Sequence, residues 1–296
     1  MEIVATREEM RKLRHELAVA HHDKHFERPL VGLTPTMGAL HAGHRALIER
    51  MTAECDVGIV SVFVNPKQFG PDDDLDRYPR NFDADCALCQ TAGAHLIYAP
   101  AVEEMYPAGY QTVVSVGELT HRWCGASRPG HFDGVTTVVA KLFAACLPDR
   151  AYFGEKDYQQ LRVVQRMTRD LELPVEIVAC PTLRETDGLA RSSRNQYLTP
   201  PEREAAPRLF ETLQHMARIF AAGVHDVDSL ITEGQRMLNP HSKGSKLELE
   251  YLAVVDPRTL EPRTKAQVGD RILVAAHLGS ARLIDNVLLT GEEQVP

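Results

Sequence analysis

From residue 29 to residue 180, short apolar runs alternate with stretches whose apolar positions recur every three or four residues. Residues 29–34 read as a buried strand, after which Leu40, His44, Leu47, Ile48 and Met51 share one helical face. A second strand at 57–64 is bounded by Asn65-Pro66, and a helix over 82–91 leads to a strand at 94–98. A short strand at 112–116, a helix over 135–146, a strand at 151–153, a helix over 158–171 and a strand at 175–179 complete the series. Strands separated by helices of this length predict parallel βαβ units and a doubly wound sheet. Ligands of such sheets bind at the carboxyl ends of the strands, which directs attention to the loops after Thr34, Val64, Phe153 and Cys180.

After about residue 182 the order changes. Thr199-Pro-Pro-Glu202 has the form of a capping box with proline at the first helical position. It opens one long predicted helix through Leu209, Leu213, Met216 and Phe220, ended by Gly223. A second helix over 227–238 and β-like runs at 247–255, 271–276 and 281–289 predict a smaller α+β domain over residues 183–296. Asn239 to Ser245 reads as a mobile loop within it.

Composition narrows the partners. The 296 residues are 44% hydrophobic and 25% charged, with a net charge of −8, an ordinary globular balance. The acidic excess argues against nucleic acid or an anionic membrane surface as the main partner. No apolar run approaches the roughly 18 residues of a membrane span, and residues 1–25 carry charges without an apolar signal core, so the expected compartment is the cytoplasm. The six cysteines are expected to stay reduced, and Cys86-x-x-Cys89 has no second pair to complete a zinc site. His21-His22-Asp-Lys-His25 reads as a solvated helix-end cluster, and His131 as structural or pocket-lining.

Four segments carry chemistry. Pro35-Thr-Met-Gly-Ala-Leu-His-Ala-Gly-His44 lies where the first strand hands over to the first helix. A helix start gathers unpaired N–H groups and the positive end of the helix dipole, so it attracts phosphate. His41 and His44 fall on one helical face, where imidazole can donate to phosphate oxygens or exchange a proton. A pair of capping or surface histidines is the bland alternative; the flanking Gly38 and Gly43, which let a base or phosphate approach the backbone, favour phosphate handling. Zinc is weaker, because the spacing is not that of H-E-x-x-H.

The second segment, Phe63-Val-Asn-Pro-Lys-Gln-Phe69, offers the amides of Asn65 and Gln68 at a strand end, suited to orienting a small hydroxy acid, or else forms a polar turn. The third, Phe153-Gly-Glu-Lys-Asp-Tyr-Gln-Gln-Leu161, repeats strand, glycine and helix, with Lys156 able to bind phosphate as a point charge, Asp157 able to cap or to hold a ribose, and Gln160 one turn on. The fourth, Gly188-Leu-Ala-Arg-Ser-Ser-Arg-Asn195, can donate to phosphate through Ser192 and Ser193, clamp it with Arg194, and close over a substrate; a plain linker is its alternative.

Together these segments, with Leu252-Ala-Val-Val-Asp-Pro257 and Arg282-Leu-Ile-Asp-Asn286, resemble the pantoate–β-alanine ligase family, within the superfamily marked by H-x-G-H. The resemblance implies a Rossmann-like doubly wound α/β domain over 1–182 that binds ATP and pantoate, with a smaller C-terminal α+β lid over 183–296. It implies condensation of pantoate with β-alanine at the expense of ATP, through a pantoyl adenylate, by a cytoplasmic homodimer that uses Mg²⁺. Carried over by position, Met37, Gly38, Ala39, Leu40, His41, Ala42, Gly43 and His44 would lie along ATP, with His44 the proton donor and His41 on phosphate. Gly154, Glu155, Lys156 and Asp157 would also contact ATP, with Lys156 on phosphate and in the catalytic set with the two histidines. Leu183 would line adenine through its backbone, and Arg191, Ser192, Ser193 and Arg194 would close on the triphosphate. Gln68 and Gln160 would hold pantoate, with Asn65 beside them and Gln68 near β-alanine as well. Ala42, Arg45-Ala46, Asp133 and Arg191 depart from the usual family pattern, Arg191 directly in the ATP loop. Two rivals are a nucleotidyltransferase that stops at an adenylylated product and a nucleotide-binding protein without turnover.

Overall fold

The computed structural model describes residues 1–25, 28–71, 73–238 and 247–291, the side chains of 22–25 excepted. The predicted loop at 239–245 and most of the histidine cluster at 21–25 therefore lie outside what is described. Two compact units emerge: residues 1–121, 125–155 and 160–181 form the first, and residues 122–124, 156–159 and those from Thr182 onward form the second.

The first unit opens with β1 (Glu2–Val4), α1 (Arg7–His25), β2 (Val31–Thr36), α2 (Ala42–Glu54) and β3 (Val57–Val62). Then come α3 (Phe82–Thr91), β4 (Leu96–Tyr98), α4 (Val102–Met105), α5 (Cys124–Ser127) and α6 (His131–Cys146). It closes with β5 (Arg150–Gly154), α7 (Tyr158–Asp170), whose first two residues belong to the second unit, and β6 (Glu176–Cys180). The six strands form one parallel sheet in the order β1-β4-β3-β2-β5-β6. Its central strands β2 and β3 are almost wholly buried, which is why they read as continuous apolar runs rather than alternating ones. Gly32 and Gly58 pair across these two strands. A Cβ at either would stand 2.5 or 2.9 Å from Met51, so the absence of both side chains lets α2 lie close on the sheet. From β2 the chain winds through β3 to one side, whereas β5 lies on the other; the order therefore reverses between β2 and β5, where a ligand crevice is expected.

The segment at 112–116 is not a strand. Its backbone bonds helix side chains instead of a ladder: Val114 N–H donates to Thr137 Oγ1 at 3.0 Å, and the Val114 carbonyl accepts from Thr136 Oγ1 at 2.5 Å. Asp133, for which the sequence offered no role, accepts from Ser115 Oγ at 2.7 Å and so fastens the same segment.

In the second unit, α8 (Pro200–Ala205), α9 (Arg208–Ala221) and α10 (Val227–Leu238) precede β7 (Leu247–Val255), β8 (Arg271–Leu278) and β9 (Ala281–Leu288). The strands form an antiparallel sheet in sequential order, and Leu213, Met216, Phe220, Leu230, Ile272 and Val274 belong to its core. The long helix expected from Thr199 is two helices. Pro207 has no N–H to continue the ladder, and the chain breaks there. All six cysteines are thiols, and among the described residues no helix is long and apolar enough to cross a membrane.

Candidate active site

At the carboxyl end of β2 the chain turns through Gly38 (φ 81°) and Ala39 (φ 51°), both left-handed, before α2 begins. Successive amides in such a turn converge on an anion. Here that anion belongs to the protein: Asp85 of α3, only 3% exposed, accepts from Leu40 N–H at 2.7 Å through Oδ1 and from Ala39 N–H at 3.0 Å through Oδ2. Burial pushes the Asp85 carboxyl above its ordinary range, against the two backbone N–H groups that pull it down. A Cβ at Gly38 would stand 2.9 Å from Asp85 Oδ2, so the turn and the carboxylate leave no room for a larger residue. Sequence reasoning missed Asp85. The available signal was a carboxylate four residues before Cys89, on the one buried stripe of that helix.

The two histidines prove to be both a cap and a pair. His41 is the N-cap of α2, its Nδ1 accepting from Gly43 N–H at 3.1 Å, while His44 Nδ1 accepts from His41 N–H at 3.3 Å. The ring centroids are 4.1 Å apart. An imidazole that accepts through Nδ1 carries its proton on Nε2, so each ring is a donor at Nε2 beside the positive end of α2. The amides of Ala39, Leu40 and Gly43 have partners inside the protein, Asp85 for the first two and His41 Nδ1 for the third.

Beyond β3, Asn65 caps a short turn, Pro66–Gln68, and is 1% exposed. Its Nδ2 donates to Gln68 Oε1 and to the Gly134 carbonyl, each at 3.0 Å, and its Oδ1 accepts from Tyr106 OH at 2.8 Å. Gln68 Nε2 lies 3.0 Å from Met37 Sδ, which joins this turn to the β2 turn. His131 Nδ1 meets the Gln68 carbonyl at 2.8 Å and its Nε2 meets Arg128 at 3.1 Å, so this histidine holds the turn in place as a structural residue. Gln160, half-buried, stands in the first turn of α7.

At the end of β5, Gly154 leads into the turn Glu155–Asp157. Lys156, placed in the second unit, has its Nζ 3.5 Å from Asp157 Oδ2. In that unit the segment after Thr182 folds back on itself, with Arg191 N–H donating to the Leu183 carbonyl at 3.0 Å. Arg191 pairs with Glu185 at 2.8 Å. Ser192 caps the turn Ser193–Tyr197 by accepting from Arg194 N–H at 3.3 Å. Among the described residues no three His, Cys, Asp or Glu side chains converge as a metal cage.

Fold and site define a doubly wound α/β protein that sets a pair of imidazoles at the carboxyl end of β2, beside the reversal of strand order. Comparison settles which. The family model described as pantoate-beta-alanine ligase matches residues 2–288, and the chain belongs to that family. It is 50% identical over 270 residues to the bifunctional pantoate ligase/cytidylate kinase of Synechococcus elongatus, a match covering 90% of this chain and 50% of the relative. The chain thus spans about half the length of that bifunctional relative. It is also similar to the solved pantothenate synthetase of Thermus thermophilus, at 49% identity and a TM-score of 0.89, covering 98% of this chain and 100% of that one. A pantoate–β-alanine ligase of Francisella tularensis, solved in complex with beta-gamma ATP and β-alanine, matches at 31% identity and a TM-score of 0.78, over 97% of each chain.

Proposed function

We propose that this chain is an ATP-dependent ligase that condenses (R)-pantoate with β-alanine, giving pantothenate, AMP and pyrophosphate. The reciprocal capping of His41 and His44 at the reversal of the sheet carries the reading, because it sets two Nε2–H donors where the family's nucleotide would lie.

A carboxylate is a poor electrophile, so it must be activated before an amine can attack. In the first step a pantoate carboxylate oxygen attacks the α-phosphorus of ATP; the bond to the β-phosphate oxygen breaks, and pyrophosphate leaves with the electron pair. In the second, the neutral amine of β-alanine attacks the acyl carbon of pantoyl adenylate, AMP leaves with the acyl C–O electron pair, and the amide nitrogen gives up its surplus proton. Charge grows on phosphate oxygens in the first step, where fixed donors lower the barrier.

His41 and His44 donate there, with His44 the proton donor, and Lys156 adds a point charge. Met37 to Leu40, Ala42, Gly43, Gly154, Glu155 and Asp157 line ATP, Leu183 lies toward adenine, and Arg191 to Arg194 meet the triphosphate. Gln68 and Gln160 hold pantoate with Asn65 behind them, and Gln68 also lies near β-alanine. Mg²⁺ arrives on the ATP phosphates as part of that substrate, a mode that needs few protein ligands. The first domain, 1–182, binds ATP and pantoate, and the second, 183–296, serves as a lid; the active form is a cytoplasmic homodimer. Support for the reading comes from the family match, from the relative that binds β-alanine and an ATP form, and from the donor set at the sheet reversal.

An assay of AMP release tests it. The ligase makes sustained AMP only with pantoate and β-alanine both present, whereas a nucleotidyltransferase that stops at an adenylylated product releases pyrophosphate without the amine and yields no sustained AMP with it.

A further inference from the structure

Two neighbouring polar residues of β9, Asp285 and Asn286, are buried to 5% and 4% exposure in the second unit. Neighbours on a strand point to opposite faces. Asp285 shares its face with the core residues Leu283 and Val287, and Asn286 takes the other.

Asp285 accepts a two-pronged grip from Arg184, at 2.6 and 3.0 Å. The same guanidinium donates to the Gly188 carbonyl at 3.1 Å and stacks on Phe210, its Cζ 3.6 Å from the ring centroid. Arg184 bridges to Ala190 as an antiparallel pair, so this grip holds the base of the loop that continues into Arg191 and Arg194. Asn286 divides its amide differently. Oδ1 accepts from the buried Arg271 at 2.6 Å, and Nδ2 donates to the main-chain carbonyl of Lys156 at 3.1 Å. Arg271 itself stacks on Tyr158, two residues beyond Lys156.

We infer that Asp285 and Asn286 are positioning residues: one strand, through two adjacent side chains, fixes the Lys156 turn and the Arg191–Arg194 loop at a set spacing, matched to a single triphosphate. This rests on the proposed roles of Lys156 and that loop toward ATP. A buried asparagine and a buried aspartate side by side on a strand need partners to offset their desolvation. Here those partners are Arg271 of the neighbouring strand β8 and, beyond the sheet, the bases of the two segments proposed to face phosphate, through Arg184 and the Lys156 carbonyl.

Asn286→Asp isolates the tether, because the carboxylate keeps the acceptor for Arg271 and loses the donor to Lys156. Asn286→Ala removes the tether without adding charge. Both variants are expected to raise KM for ATP by roughly three- to tenfold, the scale of one hydrogen bond, with KM for pantoate moving less than twofold. In a Lys156→Ala background, Asn286→Asp is expected to add no further loss, because the two act as one unit. Asp285→Asn, which halves the grip on Arg184, is expected to raise KM for ATP as well.

An ATP constant unchanged in Asn286→Ala, or losses that multiply in the double variant, overturns the positioning role of Asn286. An unchanged ATP constant in Asp285→Asn overturns that of Asp285. If Lys156→Ala by itself leaves ATP kinetics intact, the failure lies instead in the reading of Lys156 on phosphate.

Discussion

The Asp85 carboxylate accepts the Leu40 N–H at 2.7 Å across 45 residues of sequence, and it takes the Ala39 N–H as well. An acidic group buried beneath a turn proposed to carry ATP works against anion binding through bulk charge. Its value is geometric, since it holds the left-handed turn that delivers His41 and His44 to the start of α2.

Asp85→Asn replaces one acceptor with a donor that faces a backbone N–H. KM for ATP is expected to rise by about tenfold, on the scale of a charge-assisted hydrogen bond lost from a buried site. Stability moves with pH in a direction that can be worked out. A folded-state pKa above the unfolded value favours the protonated native form, so the Asp85 contribution is fully present below the unfolded pKa. It is lost as pH rises through the elevated folded value. The difference in Tm, wild type minus Asp85→Asn, is therefore expected to shrink from acid toward neutral pH; a difference that grows would contradict the burial argument.

His44→Ala removes one proposed phosphate donor and half of the reciprocal cap. With the fold intact by circular dichroism, kcat is expected to fall by roughly 10²–10³, the usual scale for one donor aimed at developing charge. Turnover within a few-fold of wild type removes His44 from the proposed chemistry.

Gln160→Ala separates the substrates. KM for pantoate is expected to rise roughly tenfold, about 1.4 kcal/mol, with KM for ATP changed less than twofold. Equal effects on both would show that Gln160 acts on the pocket as a whole.

Gly134 packs against the 66–68 turn, where a Cβ would lie 2.3 Å from the Lys67 carbonyl oxygen and 2.6 Å from Gln68 Cα. Gly134→Ala must push that turn away. It is expected to cost about 1–3 kcal/mol of stability, as overpacking does, and to raise KM for pantoate through Gln68. Unfolding by urea and initial-rate kinetics together check both effects; a variant with wild-type values in each places the turn elsewhere.

Much of the fold was legible because buried parallel strands write themselves as apolar runs, as β2 and β3 do. The error at 112–116 came from β-branched residues whose partners are threonines of α6, not another strand. The break at Pro207 was visible in the sequence but was overridden by the periodic apolar positions beyond it. In the site, the histidine pair and its glycines lie within one short segment, so the motif showed itself. Of the phosphate and capping readings weighed as rivals, the structure shows the cap, made by Nδ1 of each ring, which leaves the proton on Nε2; phosphate handling is the proposal built on it. Asp85 and Asn286 stayed hidden because their partners lie 45 and 130 residues away, a distance that no local pattern reports.

The central claim is that pantoate is activated through its own carboxylate. Pantoate labelled with ¹⁸O in that carboxylate, turned over with unlabelled ATP and β-alanine, tests it most directly by mass spectrometry of the products. The account predicts one labelled oxygen in the phosphate of AMP and none in pyrophosphate. Unlabelled AMP, or label in pyrophosphate, would contradict it.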